Sequence, residues 1–378
     1  MKKISEKQRC RDRKTAFLHR KQKPKLPSQS GSSDNDSGVS WCKLNLWIDN
    51  QRCGELNALI GKRCDVTLKL PETMNFSSHY DTTTLHIEAI RRLSQSVRHK
   101  GKAYYLSLVD FDGLRNISTS AALVLTAELS KWDDAIRQKL RPFVDGWDES
   151  ILLRFYELGF FELFKNSPVQ EASILKNENP DVNLVKYIKG ECGDNAKTRQ
   201  LKAGLREIVG EDISKWIFLN TGLTEAITNV SQHAYPKSRT TDAKNWYLSG
   251  GFNHKTKELK IVFYDQGVGI PKSLPASEVW EKLLDRLSGL SLVERKKDEV
   301  LLKAAVELDR TSTQSSDRGK GLQDMLEFVK QRQNGYLSIL SRRGLYRFSM
   351  KDGKAHVKSE HFNNPVLGTL IIWKVTLD

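Results

Sequence analysis

Four short runs of polar residues and glycines follow one another in the C-terminal half of this 378-residue chain. They are Glu225-x-x-x-Asn229-x-x-x-His233, Asp265-x-Gly267-x-Gly269, Arg318-Gly319-Lys320-Gly321-Leu322 and Gly368-Thr369. The flanking patterns place the first run on a helix, the second at a strand end, the third before a helix and the fourth at the start of a strand. Each run supplies a different kind of polar group, so the set constrains the fold more than any single member.

The first run lies on a predicted helix from Ile217 to Tyr235, which Pro236 ends. Glu225, Asn229 and His233 recur at every fourth position, so they share one stripe of this helix. An amide oxygen is a good ligand for a magnesium ion, and a carboxylate one turn away can orient or deprotonate a water molecule or a hydroxyl. Taken alone, such a stripe is most often only a polar helix surface.

The second run follows a predicted hairpin with strands from Asn245 to Phe252 and from Glu258 to Tyr264. A carboxylate at the strand end, Asp265, could accept a hydrogen bond from the exocyclic amine of adenine. Gly267 and Gly269 permit a tight turn and a close approach of the backbone to a flat base. Taken alone, an Asp-x-Gly-x-Gly run is more often a turn with a solvent-facing aspartate.

The third run precedes a predicted helix from Leu322 to Gln331. Glycines just before a helix expose N–H groups at its positive end, which suits phosphate oxygens, and Lys320 adds a positive charge. The spacing is not that of a P-loop.

A long segment from Pro271 to Asp317 separates the second run from the third. It contains two predicted helices, Ser277 to Leu287 and Leu292 to Leu308, and ends in the hydroxyl-rich stretch Thr311 to Ser316. Its length and polar end predict a mobile lid over the phosphates. The predicted strands that complete this half are Tyr336 to Ser341, Leu345 to Met350 and Leu367 to Leu377, the last entered through Gly368-Thr369.

Together the four runs resemble the conserved boxes of the GHKL ATPase superfamily, over residues 201–378. The resemblance implies a Bergerat-type α/β sandwich with a mixed sheet that carries helices on one face, and ATP and Mg²⁺ as cofactors. It also implies the following roles: Glu225 as general base, Asn229 as magnesium ligand, Asp265 as the adenine-binding carboxylate, Gly267 and Gly269 in the base pocket, Arg318, Gly319, Lys320 and Gly321 around the phosphates, and Thr369 near the adenine. The role of His233 stays open, since a histidine bonded within its own helix fits equally well.

Residues 41–168 predict a separate α/β domain, with alternating strand patterns and amphipathic helices. The predicted strands are Asp65 to Leu70 and Ala103 to Phe111, and the predicted helices are Thr84 to Val97, Ala121 to Trp132 and Ile151 to Leu158. A polar segment, 169–200, joins it to the second domain and contains a candidate strand from Val182 to Ile188.

The order of elements from Cys64 to Asn166 resembles the STAS domain of anti-sigma-factor antagonists. In that family the turn before the second helix carries a serine that a partner kinase phosphorylates. The resemblance places Thr119 at the phosphoacceptor position, while Ser118 and Ala121 replace the usual aspartate and glycine. The alternative is that Ser118 or Thr119 only caps the helix. As a STAS-like module, this domain would bind a protein partner.

The first 25 residues carry 11 lysines and arginines against Glu6 and Asp12, and so supply more than half of the net charge of +15. They lead into a Pro, Ser and Gly-rich stretch, so residues 1–40 predict a disordered basic tail and linker. Such a tail could neutralise phosphates of a nucleic acid, or it could be a solvated arm.

The composition favours a cytoplasmic protein, since the chain has no apolar stretch of about 20 residues and no secretory signal pattern. Five widely spaced cysteines predict reduced thiols rather than disulfides or a zinc site.

Three hypotheses follow from the two resemblances and the tail: a regulatory ATPase, a serine/threonine kinase of the partner-switching type, and a nucleic-acid-associated assembly factor whose conformation ATP controls. Self-association through the lid fits each of them.

Overall fold

The computed structural model describes residues 35–96, 102–140, 142–165, 167, 181–191, 194–235, 244–277, 280–308 and 321–377. For 35–40, 139, 195, 276 and 321–324 it describes the backbone alone. The basic residues 1–25, the hydroxyl-rich stretch 311–316, and Arg318, Gly319 and Lys320 of the third run lie outside the described residues.

The described residues of the first half form two small sheets and five α-helices. Strands β1, β2 and β4 form one sheet, in which β1 is antiparallel and β4 parallel to β2, while β3 and β5 form a parallel pair. The strands are β1 Ala58–Ile60, β2 Asp65–Lys69, β3 Thr73–Met74, β4 Tyr105–Asp110 and β5 Asn116–Ile117. The helices are α1 Asn35–Arg52, α2 Tyr80–Ser94, α3 Thr119–Ser130, α4 Asp134–Lys139 and α5 Glu149–Glu157.

The elements predicted for the first half from the sequence are present, with ends shifted by a few residues. One boundary differs more, because α1 begins at Asn35, inside the segment predicted to be a disordered linker. Its side chains from Trp41 onward are largely buried or half-buried, and Ile48 is fully buried. The helix therefore packs as part of the folded protein. The Ser and Gly content of residues 28–40 gave no sign that a helix begins there.

The second half is built on a six-stranded sheet. The strand order is β10-β11-β9-β8-β6, with β7 also paired to β8. The strands are β6 Val182–Leu184, β7 Ile188–Gly190, β8 Trp246–Asn253, β9 Glu258–Asp265, β10 Gly335–Lys351 and β11 Lys354–Thr376. Every described pairing in this sheet is antiparallel, so the expectation of a mixed sheet is wrong. The segment predicted as a linker supplies β6 and β7, because Leu184 and Ile188 bury their side chains there.

Six α-helices are described in the second half. They are α6 Thr198–Val209, α7 Trp216–Asn229, α8 Ile270–Ser273, α9 Trp280–Arg286, α10 Asp298–Leu308 and α11 Gly321–Lys330. A π-helical turn, Val230–Ala234, follows α7 without a break. The helix predicted from Leu292 begins only at Asp298, because Leu292 and Val293 are solvent-exposed and a short 3₁₀ turn precedes it.

Both faces of the six-stranded sheet are buried. One face packs against helices of the second half, and its strands contribute Leu248, Phe263, Ile371 and Trp373 to that core. The opposite face contributes Tyr247, Val262, Tyr264, Leu370 and Ile372 to the core of the first half. The expectation that helices cover only one face is therefore wrong. We call the contact between this second face of the sheet and the first half the seam, and the two halves share one continuous core across it.

Polar contacts also cross the seam. The hydroxyls of Ser130 and Tyr247 lie 2.7 Å apart, and Gln266 Nε2 donates to Glu128 Oε2 at 3.4 Å. On the side of the first half, Glu128 accepts a second hydrogen bond from Arg91 Nε at 3.0 Å. These buried groups are hydrogen-bonded to one another, which removes part of the cost of taking them out of water.

Strands β10 and β11 extend past the sheet as a bent hairpin that contacts the first half. The bend lies at Arg342 to Gly344, where the register shifts and Arg342 has a φ of 55°. Beyond it, the rings of Phe362 and Tyr80 stack with centroids 3.6 Å apart. The hairpin thus fixes α2 against the sheet. Among the described helices, none has the length and apolar character needed to cross a membrane.

We expect the variant Leu370→Ala to destabilise both halves together. Leu370 is fully buried in the seam, so its truncation should lower the free energy of unfolding by about 2 to 5 kcal/mol. Hydrogen exchange measured by mass spectrometry should show faster exchange in α3 and in β9 alike. The control Leu59→Ala, at a side chain that is 51% exposed, should change stability by less than about 0.5 kcal/mol. Faster exchange in β9 alone would contradict a shared core.

Candidate functional site

Asp265 ends β9 with its side chain on the face that packs against the helices. Its Cα partners are Trp246 on β8 and Thr369 on β11, and Trp246 belongs to the helix-side core. The residue is only 4% exposed, and its Oδ1 accepts a hydrogen bond from the backbone N–H of Gly267 at 2.8 Å. Burial raises the pKa of this carboxyl to about 6, against the opposing effect of hydrogen bonds from Gly267 and Thr369. A buried carboxyl with a raised pKa at a strand end is a common feature of functional sites.

The Gly368-Thr369 run contacts Asp265 directly. Gly368 has a φ of 68°, a conformation that other residues rarely adopt. A Cβ on Gly368 would collide with the backbone carbonyl of Asp265, so only glycine lets the two strands come this close. The hydroxyl and the backbone N–H of Thr369 both hydrogen-bond to the carboxyl of Asp265. The structure thus brings together the second and fourth runs.

Ser341 is a site residue that the sequence analysis missed. This fully buried side chain on β10 donates to the carbonyl of Gly368 at 3.1 Å and lies 3.2 Å from the Thr369 hydroxyl. It also accepts from the N–H of Ile270 at 2.8 Å, which anchors the start of α8. A serine in an apolar strand carries no distinctive signal. Its polarity within the buried run of β10 does not distinguish it either, because Ser338 in the same run is equally buried.

The end of α7 contacts the Asp265 loop. The carbonyl of Ala234, the last residue of the π turn, accepts from the N–H of Val268 at 2.8 Å. A Cβ on Gly267 would lie 2.5 Å from the same carbonyl oxygen, so glycine is required for this approach. π turns within helices often occur at functional sites. Here the turn places the first run of the sequence beside the second.

Glu225 and Asn229 lie on α7 ahead of this contact, and both side chains are half-buried. His233 lies within the π turn and is exposed. The regular stripe predicted for these three residues therefore continues through Asn229 and changes pitch before His233. None of the described residues forms a cluster of three or more His, Cys, Asp or Glu side chains that could hold a metal by itself.

The third run is described only from Gly321 onward. Helix α11 begins at Gly321, one residue before the predicted start at Leu322, and packs against α7 and the sheet. The indole N–H of Trp373 donates to the carbonyl of Met325 at 2.8 Å, which fixes this helix against β11. The start of α11 is thereby held on the same side of the sheet as Asp265. The placement of Arg318, Gly319 and Lys320 stays a prediction.

Residues of the first half reach the site from the other side of the sheet. Gln266, next to Asp265, is 5% exposed and donates to Glu128 of α3. The positive charge of Lys131, just after α3, acts to lower the pKa of Asp265. Neither Glu128 nor Lys131 was predicted from the sequence to lie near Asp265, because nothing in the local pattern brings the first half to this loop.

Thr119, the predicted phosphoacceptor, lies at the start of α3. It is 6% exposed, and its hydroxyl lies 3.8 Å from the position that a Cβ on Gly251 would occupy. Ser118 is the N-cap, and its side chain accepts from the N–H of Ala121 at 3.2 Å. The capping alternative is therefore correct for Ser118. Thr119 faces the seam, on the opposite face of the sheet from the side chain of Asp265.

Comparison with known proteins does not assign a family: no protein-family model matches the chain, and a search of curated proteins finds no significant match. The interpretation of the site therefore depends on its residues and their geometry.

The raised pKa of Asp265 predicts a specific pH dependence of stability. Between the ordinary value of 3.8 and about 6, the folded state binds a proton that the unfolded state does not. Its contribution to stability is therefore present at low pH and is lost as pH rises through about 6. In the parent, a pKa shift of this size corresponds to a fall of about 2 to 3 kcal/mol in the free energy of unfolding. In the variant Asp265→Asn, this fall should be absent.

The measurement is urea unfolding of parent and variant between pH 4 and 7. Asp352→Asn is the matched control, since Asp352 is exposed and its φ of 49° suits asparagine. Identical pH profiles for the parent and Asp265→Asn would contradict the assignment of a raised pKa to Asp265.

Proposed function

We propose that the chain is an ATP-binding regulatory protein, in which a GHKL-type site hydrolyses ATP with Mg²⁺ and a STAS-like first half transmits the nucleotide state to a protein partner. The observation that carries this proposal is the buried Asp265 carboxyl. It lies at a strand end, next to two glycines, Gly267 and Gly368, at which a Cβ would collide with the backbone. At both glycines the space of the missing Cβ is taken by the protein's own backbone, at Ala234 and at Asp265, which fixes the loop around the carboxyl. A buried carboxylate in such a loop can select the amine of a base.

The adenine end of the proposed site is built around a carboxylate that accepts hydrogen bonds. Asp265 accepts from the N–H of Gly267 and from Thr369, and a carboxylate has further lone pairs with which to accept from an exocyclic amine. The Thr369 hydroxyl lies next to Ser341, which orients it. A buried polar site of this kind discriminates strongly against a base that lacks the amine, because the carboxylate would stay unpaired.

The phosphate end of the proposed site lies along α7 and the start of α11. Bound Mg-ATP would supply the phosphoanhydride bond that is cleaved. Asn229 would hold the metal through its amide oxygen, and Glu225, one turn earlier, would orient the attacking water and accept its proton. Both side chains are only half-buried, so each can reach solvent and ligand. The N–H groups at the start of α11 face the phosphates in this proposal.

The placement of Thr119 favours an ATPase over a kinase that acts on its own chain. The hydroxyl is buried in the seam, and the sheet separates it from Asp265. Transfer of a phosphoryl group to Thr119 would require the two halves to separate. A kinase acting on another protein remains the second hypothesis. Nucleic-acid association through residues 1–25 stays a prediction, since that segment lies outside the described residues.

We expect Asp265→Asn to abolish binding of a non-hydrolysable ATP analogue, because an amide in place of the carboxylate can present its NH₂ group to the adenine amine. Isothermal titration calorimetry with Mg²⁺ should show at least a hundredfold loss of affinity for this variant, and parental affinity for Asp352→Asn. In the parent, affinity should fall as pH drops below about 6, where Asp265 becomes protonated.

Glu225→Ala should bind the analogue like the parent and lose ATP turnover, by about 10²-fold or more for a general base. The assay is release of inorganic phosphate, with labelled ATP to detect any transfer to protein. Turnover at the parental rate would remove Glu225 from the mechanism. Label on a protein, without release of phosphate, would replace the ATPase hypothesis by the kinase hypothesis.

A further inference from the structure

A cluster of cations lies in the seam, on the face of the sheet opposite Asp265. Two of these cations belong to a line of directly paired residues that crosses five adjacent strands. We call this line the row, and its order is Tyr336, Lys374, Lys260, Gly251 and Leu184. Cross-strand partners point their side chains to the same face. Leu184 and Tyr336 belong to or pack against the core of the first half, so this face is the one that the first half covers.

Two lysines in this row stand directly opposite each other, Lys374 on β11 and Lys260 on β9. Like charges in directly opposed positions destabilise a sheet. Lys374 forms an ion pair with Glu258 at 2.5 Å. Burial lowers the pKa of Lys260 to about 8, with further lowering by the positive charges of Lys374, Arg154 and Arg347 and an opposing effect of Glu258.

Two arginines reach the cluster from outside the row. The guanidinium of Arg347, on the bent hairpin, lies 4.7 Å from the ring centroid of Tyr336, and its Nε donates to Ser338 Oγ at 2.7 Å. Arg154, on α5, donates from Nη1 to the carbonyl of Ile117 at 2.8 Å. Both side chains are half-buried and are held by neutral partners, so their charges are not neutralised by those contacts.

The remaining groups around the cluster are the start of α3 and one further carboxyl. Thr119 is the first residue of α3, and its hydroxyl lies above Gly251, the neighbour of Lys260 in the row. A helix N-terminus adds positive potential there. Glu157 accepts from Asn183 and from the N–H of Leu184, and burial raises its pKa, which weakens it as a counter-charge.

We propose that Lys260, Lys374, Arg347 and Arg154, which we call the seam cluster, bind a phosphate dianion between the two halves. Two carboxyls lie beside these four cations, since Glu258 pairs with Lys374 and Glu157 interacts with Arg154. A tetrahedral dianion would offer oxygens to lysine ammonium and arginine N–H donors at once. The cluster is open to a small anion from solvent, since the Lys374 side chain is 32% exposed. A bound dianion would join residues of the sheet, the hairpin and α5, and would stabilise the seam. This site is independent of the proposed nucleotide site.

The test is thermal unfolding of the full chain in increasing inorganic phosphate, with chloride added to keep the ionic strength constant. Phosphate should raise the unfolding temperature of the parent. Lys260→Met should be at least as stable as the parent without phosphate, because cation repulsion is removed, and its apparent phosphate affinity should be at least tenfold weaker. Arg347→Gln should weaken phosphate binding in the same direction. The matched control is Lys255→Met, in the turn between β8 and β9. The Lys255 side chain is 73% exposed and pairs with Asp181.

Asp265→Asn separates this proposal from the nucleotide site. It should leave the phosphate response unchanged, whatever it does to ATP binding. The proposal is overturned if the parent does not respond to phosphate, or if Lys260→Met responds like the parent. It is also overturned if the response is lost in Asp265→Asn and kept in Lys260→Met, since the anion would then bind on the other face of the sheet.

Discussion

The rest of the structure depends on the burial of both faces of the six-stranded sheet. Strands β8, β9 and β11 send alternate side chains into two different cores, with Phe263 on one face and Val262 on the other. Apolar burial on both faces stabilises the sheet more than a half-solvated arrangement could, since each buried apolar side chain contributes about 1.5 to 3 kcal/mol. The consequence is that the two halves of the chain are one folded unit.

Burial on both faces of the sheet holds the proposed site in place and links it to the first half. Asp265 and Gln266 are consecutive residues on opposite faces of the sheet, so one points to the proposed base site and the other to Glu128 of α3. A nucleotide that changes the ionisation or position of Asp265 acts on a segment whose next residue is bonded across the seam. Coupling to the first half then needs no hinge between domains, only a shift of this loop.

Much of the local structure could be predicted from the sequence, because it depends on short-range patterns. The helix carrying Glu225 and Asn229, the hairpin before Asp265 and the helix after Gly321 all lie where periodicity and glycines indicate them. The adjacency of Gly368 and Asp265 was expected only through the resemblance, since it depends on the register of two distant strands. The sheet order and the packing of α3 involve contacts over more than 100 residues, which leave no periodic signal. Short apolar runs within β8 and β9, at 246–248 and 261–264, are consistent with burial on two faces.

The most direct measurement of the central claim is hydrogen exchange of the full chain with and without a non-hydrolysable ATP analogue and Mg²⁺. The account predicts slower exchange in the Asp265 to Ile270 loop, in the π turn at Val230–Ala234 and around Thr369, with smaller slowing at the start of α3. Exchange at the exposed hairpin turn near Asp352 should not change. Unchanged exchange in the Asp265 loop at saturating analogue would contradict the account.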